Sequence, residues 1–267
     1  MTDINSDILH THLIINGRRF PYYNRVYFHS NENLKDIFSF IDVKDKVVLT
    51  VLGSGDQVFN LYNNGAKSVD MFDKNKLAIY YYYIRLWTIK YLGKFYPELD
   101  FNIRSILKSV KIHNDEEKKA FDYWCKYIEV FGDKINSKYF YRGLYECVND
   151  LDDISKIKER IDDNFSYYNL DIGKDSIPTN KKYDLIYISN ISDYIEPKIS
   201  SFTLYRDHID KVLKDNGKII SVNLRKLGLE EIDREDQVFK EIYDVEELPE
   251  VERYDFKLPA GKVYTKK

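Results

Sequence analysis

The hydrophobic pattern of this chain changes period repeatedly along its length. Short apolar runs rich in β-branched residues predict strands, and between them apolar residues recur three and four positions apart, as on one face of a helix. The strand-like runs lie at 46–52, 66–73, 165–172, 182–190 and 218–223. This alternation predicts an α/β fold with a doubly wound, mostly parallel, Rossmann-like sheet.

Helical spacing predicts α-helices at 33–41, 58–63, 75–91 and 203–213. Asn64-Gly65 suits a left-handed helix end. The four tyrosines at 80–83 point to all sides of a helix, so we expect a mixture of core and surface positions there. The polar-apolar alternation of 239–267 predicts a closing antiparallel hairpin.

The beginning of the chain does not follow the alternation. Residues 1–45 are predicted to form an N-terminal arm and a cover helix, with a short hairpin at 13–19. The aromatic-rich stretch 20–28 either covers a ligand cleft or packs its rings on the core. The remaining residues, 46–267, are predicted to form one α/β domain.

A second interruption lies inside that domain. Residues 93–165 are charged, favour helix and carry few strand signals. They predict a helical insertion between the second and third strands, with one helix around 124–131 and another at 139–148. Insertions at the carboxyl ends of strands commonly select the substrate, so we expect a cap of that kind.

The strongest chemical signal is the turn Gly53, Ser54, Gly55, Asp56 and Gln57, which separates a strand from a helix. Glycines let the backbone approach a ligand, and the free N–H groups of the following helix face that ligand.

An acid, Asp73, ends the next strand at close to the roughly 20-residue spacing expected for a group that binds a ribose diol. It could alternatively cap the helix that begins near Asn75. Val58 stands where the dinucleotide fingerprint has its third glycine, which disfavours NAD and FAD. The pattern therefore predicts a nucleotide-type cofactor without a pyrophosphate, such as S-adenosylmethionine.

At these residues the chain resembles the class I S-adenosylmethionine-dependent methyltransferase superfamily. Gly53–Gln57, followed by Asn60-Leu61 and Gly65-Ala66, is similar to the group that contains the aminocarboxypropyl transferase of betaine-lipid synthesis. The sequence departs from the superfamily at Val51, where an acid commonly helps to hold the methionine amino group. Either Asp56 takes over the ammonium, or the tail is held differently.

The resemblance implies a role for each candidate residue. Gly53–Gln57 would face the methionine portion, Asp73 with the adjacent Lys74 the ribose, Asp171 and Ile172 the adenine, and Asn190 the tail or the incoming substrate. Transfer from a sulfonium is an in-line displacement that needs positioning and exclusion of water. No obligatory catalytic residue follows from that chemistry, and none is assigned.

Composition excludes some functions. The net charge of −3 over 267 residues and the pI near 6.0 give no global basic surface of the kind that nucleic-acid binding favours. Two cysteines without metal-type spacing predict no metal site and a reducing, cytoplasmic location. No segment approaches the ~20 apolar residues of a transmembrane helix. A small molecule or a lipid at a membrane surface remains open as the acceptor.

The expected function is an S-adenosylmethionine-dependent transferase, most simply a methyltransferase with an unidentified acceptor. Aminocarboxypropyl transfer stays open, because the two reactions differ only in which carbon bonded to sulfur faces the nucleophile. A degenerate, non-catalytic cofactor-binding module is the alternative that the missing acid at Val51 suggests. An NAD-dependent oxidoreductase is disfavoured by Val58.

Overall fold

A computed structural model describes residues 3–94, 102–141, 151–161, 164–222, 234–253, 256–259 and 261–267. The chain divides into two compact units. The first contains Met1–Asn31, Leu52–Phe59 and Lys74–Ile161, and the second contains Glu32–Val51, Asn60–Asp73 and Asp162–Lys267.

In chain order, the described helices are α1 (Ile4–Ile15), α2 (Leu34–Ser39), α3 (Asp56–Asn63), α4 (Ala78–Trp87), α5 (Ile103–Leu107), α6 (Asp115–Phe131), α7 (Leu151–Arg160), α8 (Ile199–Asp210) and α9 (Arg234–Phe239). A π-helical turn, Thr88–Leu92, continues α4, and 3₁₀ turns occur at Ser137–Tyr139 and Ile191–Tyr194. No helix in the described part of the chain is long and apolar enough to cross a membrane.

The described strands are β1 (Val26–Tyr27), β2 (Val47–Val51), β3 (Ser68–Asp73), β4 (Phe140–Tyr141), β5 (Tyr167–Asn169), β6 (Tyr183–Ser189), β7 (Leu213–Ser221), β8 (Tyr243–Glu247), β9 (Glu250–Arg253), β10 (Phe256–Pro259) and β11 (Lys262–Lys266). Among these, a seven-stranded sheet in the second unit has the order β5-β3-β2-β6-β7-β11-β8. β11 is antiparallel to both of its neighbours, and the other pairs are parallel.

Helices cover both faces of this sheet, as the doubly wound prediction requires. On one face, side chains of α8 and α9 such as Tyr205 and Phe239 pack with Ile186, Ile219 and Tyr264 of the strands. On the other face, Phe38 of α2 lies over Tyr187, with ring centroids 5.0 Å apart. The prediction of an α/β, mostly parallel, Rossmann-like sheet is therefore confirmed.

The first unit is helical and contains an aromatic core. Tyr80 of α4 stacks on Tyr123 of α6 at 4.0 Å, and the Trp124 indole N–H donates to the Tyr80 carbonyl oxygen at 2.7 Å. Asp7 of α1 is buried and accepts hydrogen bonds from the Tyr23 and Tyr80 hydroxyls at 2.9 and 2.5 Å. Helices α1, α4 and α6 are thus joined by buried polar contacts as well as by packing.

Three local predictions in this unit are wrong. The segment predicted as a hairpin at 13–19 begins as the end of α1, because the buried face of α1 includes the polar Asp7 and Thr11 and so conceals its helical period. Tyr80–Tyr83 are all buried, as is every other residue of α4. At 139–141 the chain forms a 3₁₀ turn and β4 instead of a helix, and 142–148 lie outside the described residues.

The elements of the second unit agree more closely with the sequence. α2, β2, β3 and β6 lie at their predicted places, whereas α8 spans Ile199–Asp210 instead of 203–213. Gly65 ends α3 in the left-handed region with φ 91°. The predicted closing hairpin of 239–267 is wrong in one respect: β8 and β11 do pair antiparallel, but β9 and β10 intervene and form a two-stranded sheet of their own. The roles of 1–45 as a cover and of 93–165 as a substrate-selecting insertion stay predictions.

Candidate functional site

The glycine turn of the first unit has the conformation that its sequence predicts. Gly53 and Gly55 have φ 53° and 86°, in the left-handed region that glycine adopts without strain. The Gly55 N–H donates to the Leu52 carbonyl oxygen at 2.7 Å. A Cβ at Gly55 would lie 3.0 Å from Cδ2 of Tyr82, so a side chain there would crowd the buried Tyr82 ring as well as strain the backbone.

A buried ion pair holds this turn. The Arg85 guanidinium donates to Asp56 Oδ1 and to the Ser54 carbonyl oxygen, both at 2.6 Å. The second oxygen of Asp56 accepts from the Ser30 N–H at 2.7 Å and from Ser54 Oγ at 2.8 Å. The two charged side chains are 4% and 0% exposed. The Asp56 carboxylate is therefore bound by the protein itself, and it fixes the shape of the turn.

Aromatic rings surround the guanidinium. Its Cζ lies 5.1 Å from the Phe59 ring centroid and 5.5 Å from that of Tyr81, within the range of cation–π attraction. Burial raises the pKa of the Tyr81 hydroxyl, which stays neutral and donates to the Phe28 carbonyl oxygen at 3.2 Å. Arg85 was not predicted from the sequence as a site residue.

Gln57, in the first turn of α3, lies against the side of Gly53 where other residues carry a Cβ. A Cβ at Gly53 would be 3.3 Å from Nε2 and 3.4 Å from Oε1 of Gln57. Gln57 is 4% exposed, and within the described part of the chain its Oε1 has no hydrogen-bond partner. A buried amide oxygen without a partner is uncommon in proteins and costs free energy. This amide is therefore the group of the turn best suited to a ligand.

Asp73, in the second unit, is the last residue of β3. Its side chain is largely buried, and its carbonyl oxygen accepts from the Leu170 N–H at 3.1 Å and from Asn169 Nδ2 at 2.8 Å, which ties the end of β5 to the end of β3. Burial, and then the charge of Asp73, raise the pKa of Tyr167 well above its usual value.

The capping alternative for Asp73 is wrong. The N-cap residue of α4 is Leu77, and α4 has no side-chain cap hydrogen bond. Lys74 is exposed.

Asp171 and Ile172 form a tight turn beyond β5, which ends at Asn169. Asp171 is half-buried; its Oδ1 accepts from the Gly173 N–H at 3.2 Å, and its carbonyl oxygen accepts from the Asp175 N–H at 2.7 Å. Ile172 belongs to the core. The buried His208 of α8 donates from Nδ1 to the Ile172 carbonyl oxygen at 2.9 Å, so α8 fixes the position of this turn.

Asn190 follows β6 beside a strained residue. Ser189 has φ 55°, which is unfavourable for a residue other than glycine, and its hydroxyl lies 3.2 Å from Asn190 Oδ1. The Ser189 hydroxyl also donates to the buried Glu32, which accepts from the Tyr187 hydroxyl at 2.7 Å. Backbone strain and a buried carboxylate thus coincide where the strand ends, and the sequence analysis did not identify Glu32.

The parallel register brings the second-unit candidates to one edge of the sheet. Asp73 pairs with Asn169 in register, and β6 runs parallel to β2. Asp73, Asp171 and Asn190 therefore lie at or beyond the carboxyl ends of their strands. Within the described residues, no group of three or more His, Cys, Asp and Glu could hold a metal ion.

No protein-family model matches this sequence, and no curated protein is similar enough in sequence to be matched. Solved structures do resemble the fold. N-methyltransferase NodS from Bradyrhizobium japonicum WM9 is 13% identical, with 88% of this chain and 92% of that chain covered and a TM-score of 0.46. A TehB-like SAM-dependent methyltransferase from Corynebacterium glutamicum is 14% identical, with coverages of 98% and 97% and a TM-score of 0.42.

Magnesium protoporphyrin IX methyltransferase (ChlM) from Synechocystis PCC 6803, solved with bound SAM, is 9% identical to this chain. In that comparison 99% of this chain and 84% of that chain are covered, and the TM-score is 0.41. At identities of 9 to 14% and TM-scores of 0.41 to 0.46, these similarities assign no role to any residue of this chain.

Proposed function

We propose that this protein is an S-adenosylmethionine-dependent transferase of the class I methyltransferase type, and that the group it transfers is methyl. The observation that carries the proposal is the position of the glycine turn. It follows β2, whose neighbours in the sheet are β3 on one side and β6 on the other. The strand order reverses there, and open α/β sheets bind ligands outside the carboxyl ends of strands at such a switch point.

The sheet order also favours a cofactor without a pyrophosphate. The classic dinucleotide-binding sheet has six strands in the order 3-2-1-4-5-6. In this sheet the antiparallel β11 separates the fifth and sixth parallel strands, β7 and β8. Together with Val58 in place of the third glycine, this departure supports S-adenosylmethionine over NAD or FAD.

Each candidate residue has a proposed role. Asp73 accepts two charge-assisted hydrogen bonds from the ribose diol, with Lys74 beside it. Asp171 accepts from the adenine amino group, and Ile172 fixes the turn that contains it. Asn190 contacts the tail or the incoming acceptor. Asp56 acts through its ion pair with Arg85, which fixes the glycine turn, and the Gly53–Gln57 segment receives the methionine portion.

S-adenosylmethionine, when bound, supplies a methyl group activated by its sulfonium. The chain's own contribution is to hold the donor, to align the acceptor with the methyl carbon at about 3 to 3.5 Å and to exclude water. None of this requires a nucleophilic side chain of the protein. We propose a small molecule or a lipid headgroup as the acceptor and the cytoplasm as the location.

The direct test is isothermal titration with S-adenosylmethionine and S-adenosylhomocysteine. Saturable heat with either ligand supports the proposal. No heat and no thermal shift at millimolar ligand would remove it. Binding without turnover in any extract fraction would favour the non-catalytic binding module.

The nucleoside product distinguishes the two transfer reactions. If the amino-acid arm of the cofactor is held by the protein, the methyl group is the one left to meet the acceptor, so we expect S-adenosylhomocysteine. Aminocarboxypropyl transfer would leave 5′-methylthioadenosine instead. The measurement is mass spectrometry of the nucleoside formed with a cell extract as the source of acceptor. Methylthioadenosine formed faster than in an enzyme-free control would show the methyl assignment to be wrong.

A further inference from the structure

We infer that the Gln57 carboxamide recognises the α-amino-acid end of the cofactor, in place of the acid that is missing at Val51. The inference rests on the proposed function and makes it specific. Its basis is the buried Oε1, which has no hydrogen-bond partner among the described residues. The carboxamide also lies next to Gly53, on the side where other residues carry a Cβ.

Two alternative holders of the ammonium are already engaged or absent. The Asp56 carboxylate is bound by Arg85, Ser30 and Ser54 and is fully buried. Val51 has no polar side chain. Within the described turn, Gln57 is the residue whose side chain combines burial with an unused acceptor.

The chemistry of a carboxamide matches an amino acid. Its oxygen accepts hydrogen bonds and its nitrogen donates two. An α-amino-acid end presents an ammonium, which donates, beside a carboxylate, which accepts. A planar amide can therefore engage both charges at once without carrying a charge itself. A carboxylate in its place would attract the ammonium and repel the neighbouring carboxylate.

The position of Gln57 adds a second contribution. It lies in the first turn of α3, a helix of eight residues whose N-terminus favours negative charge. The ligand carboxylate then meets the Gln57 Nε2 and the positive end of the helix dipole together. A Cβ at Gly53 would lie 3.3 Å from Nε2 of Gln57 and would crowd the carboxamide.

Three ligands distinguish recognition of the ammonium from recognition of the carboxylate. S-adenosylhomocysteine carries both charges of the amino-acid end, decarboxylated S-adenosylmethionine carries the ammonium without the carboxylate, and 5′-methylthioadenosine carries neither. Isothermal titration of each is compared between the wild-type protein and Gln57→Leu. We expect the variant to lose about 10- to 100-fold in affinity for S-adenosylhomocysteine, the range for hydrogen bonds to a charged group. Its affinity for methylthioadenosine should change less than about threefold.

A second variant gives a result that a purely structural role would not. Gln57→Glu keeps the acceptor and removes the donor, so it should bind decarboxylated S-adenosylmethionine more tightly than S-adenosylmethionine itself. Gln237→Leu, at an exposed position of α9, is the matched control and should alter no affinity. Circular dichroism and thermal melting check that each variant is folded, and if Gln57→Leu does not fold, Gln57→Glu decides alone.

The outcomes separate this inference from the proposed function. If the wild type binds S-adenosylhomocysteine and neither Gln57 variant changes the ratio between the ligands, the inference is wrong and the proposed function stands. If the wild type binds none of the three ligands, the proposed function fails and the inference fails with it.

Discussion

Arg85→Ala should lower the free energy of unfolding by about 3 to 5 kcal/mol, the cost of removing one partner of a buried ion pair. The reason is that Asp56 would be left fully buried without the guanidinium that now lies 2.6 Å away. The Ser54 carbonyl oxygen would lose a donor at the same time. Urea unfolding followed by circular dichroism measures the change.

Arg104→Ala is the matched control in the same unit. Arg104 pairs with Asp133 at 3.7 Å, but the two side chains are 59% and 44% exposed. Surface pairs of this kind contribute about 0 to 1 kcal/mol, so this variant should be nearly neutral. Equal losses in the two arginine variants would contradict the role assigned to the buried pair.

A double-mutant cycle with Asp56→Asn isolates the pair itself. Removing the charge of Asp56 relieves the cost of leaving it unpaired, so Arg85→Ala should be less damaging in that background. We expect a coupling within the roughly 0.5 to 3 kcal/mol measured for residues in contact. Additive losses would mean that the arginine stabilises the unit through its stacking on Phe59 and Tyr81 instead.

The burial and pairing of Arg85 could not be predicted from the sequence alone. It is the one charged residue in the helix sequence AIYYYYIRLW, and a charged side chain on an enclosed helix must find a partner. That argument requires knowing that α4 is enclosed. The tyrosine-rich sequence does not reveal that α4 is buried, because tyrosine occurs both on protein surfaces and in protein cores.

The parallel strands, in contrast, have a local signal in the sequence. A strand buried on both faces is rich in consecutive apolar residues, and Val47–Leu49 and Leu185–Ile188 supply such runs directly. The antiparallel position of β11 was not predictable, because it depends on a pairing between distant segments. Asp171 was placed at a strand end on sequence, whereas β5 stops at Asn169 and the acid forms a turn.

Some residues of the candidate site could also be predicted from local sequence, and others could not. Gly53, Gly55 and Asp73 follow from turn geometry and spacing. Glu32 and His208 do not, since each acts through a residue far away in the sequence, Glu32 on Ser189 and His208 on Ile172. A single carboxylate or imidazole has no local pattern that would indicate such a partner.

Asp73→Ala should weaken S-adenosylhomocysteine binding by about 1.5 to 3 kcal/mol, the range for a hydrogen bond to a charged group. The proposed ribose contact explains the loss, because two diol hydroxyls would donate to one carboxylate. Isothermal titration measures it. The control is Asp244→Ala, which removes an exposed carboxylate from β8 of the same sheet and should leave the affinity unchanged.

The assignment of Asp73 to the ribose can be tested apart from its effect on folding. A 2′-deoxy analogue of methylthioadenosine lacks one of the two hydroxyls, so Asp73→Ala should reduce its affinity less than it reduces that of methylthioadenosine. Because both ligands are measured on the same folded variant, a general loss of stability would lower both affinities equally. Equal losses for the two ligands would therefore mean that Asp73 stabilises the end of β3 and does not contact the ribose. A larger loss for methylthioadenosine would identify the 2′-hydroxyl as a group that the carboxylate binds.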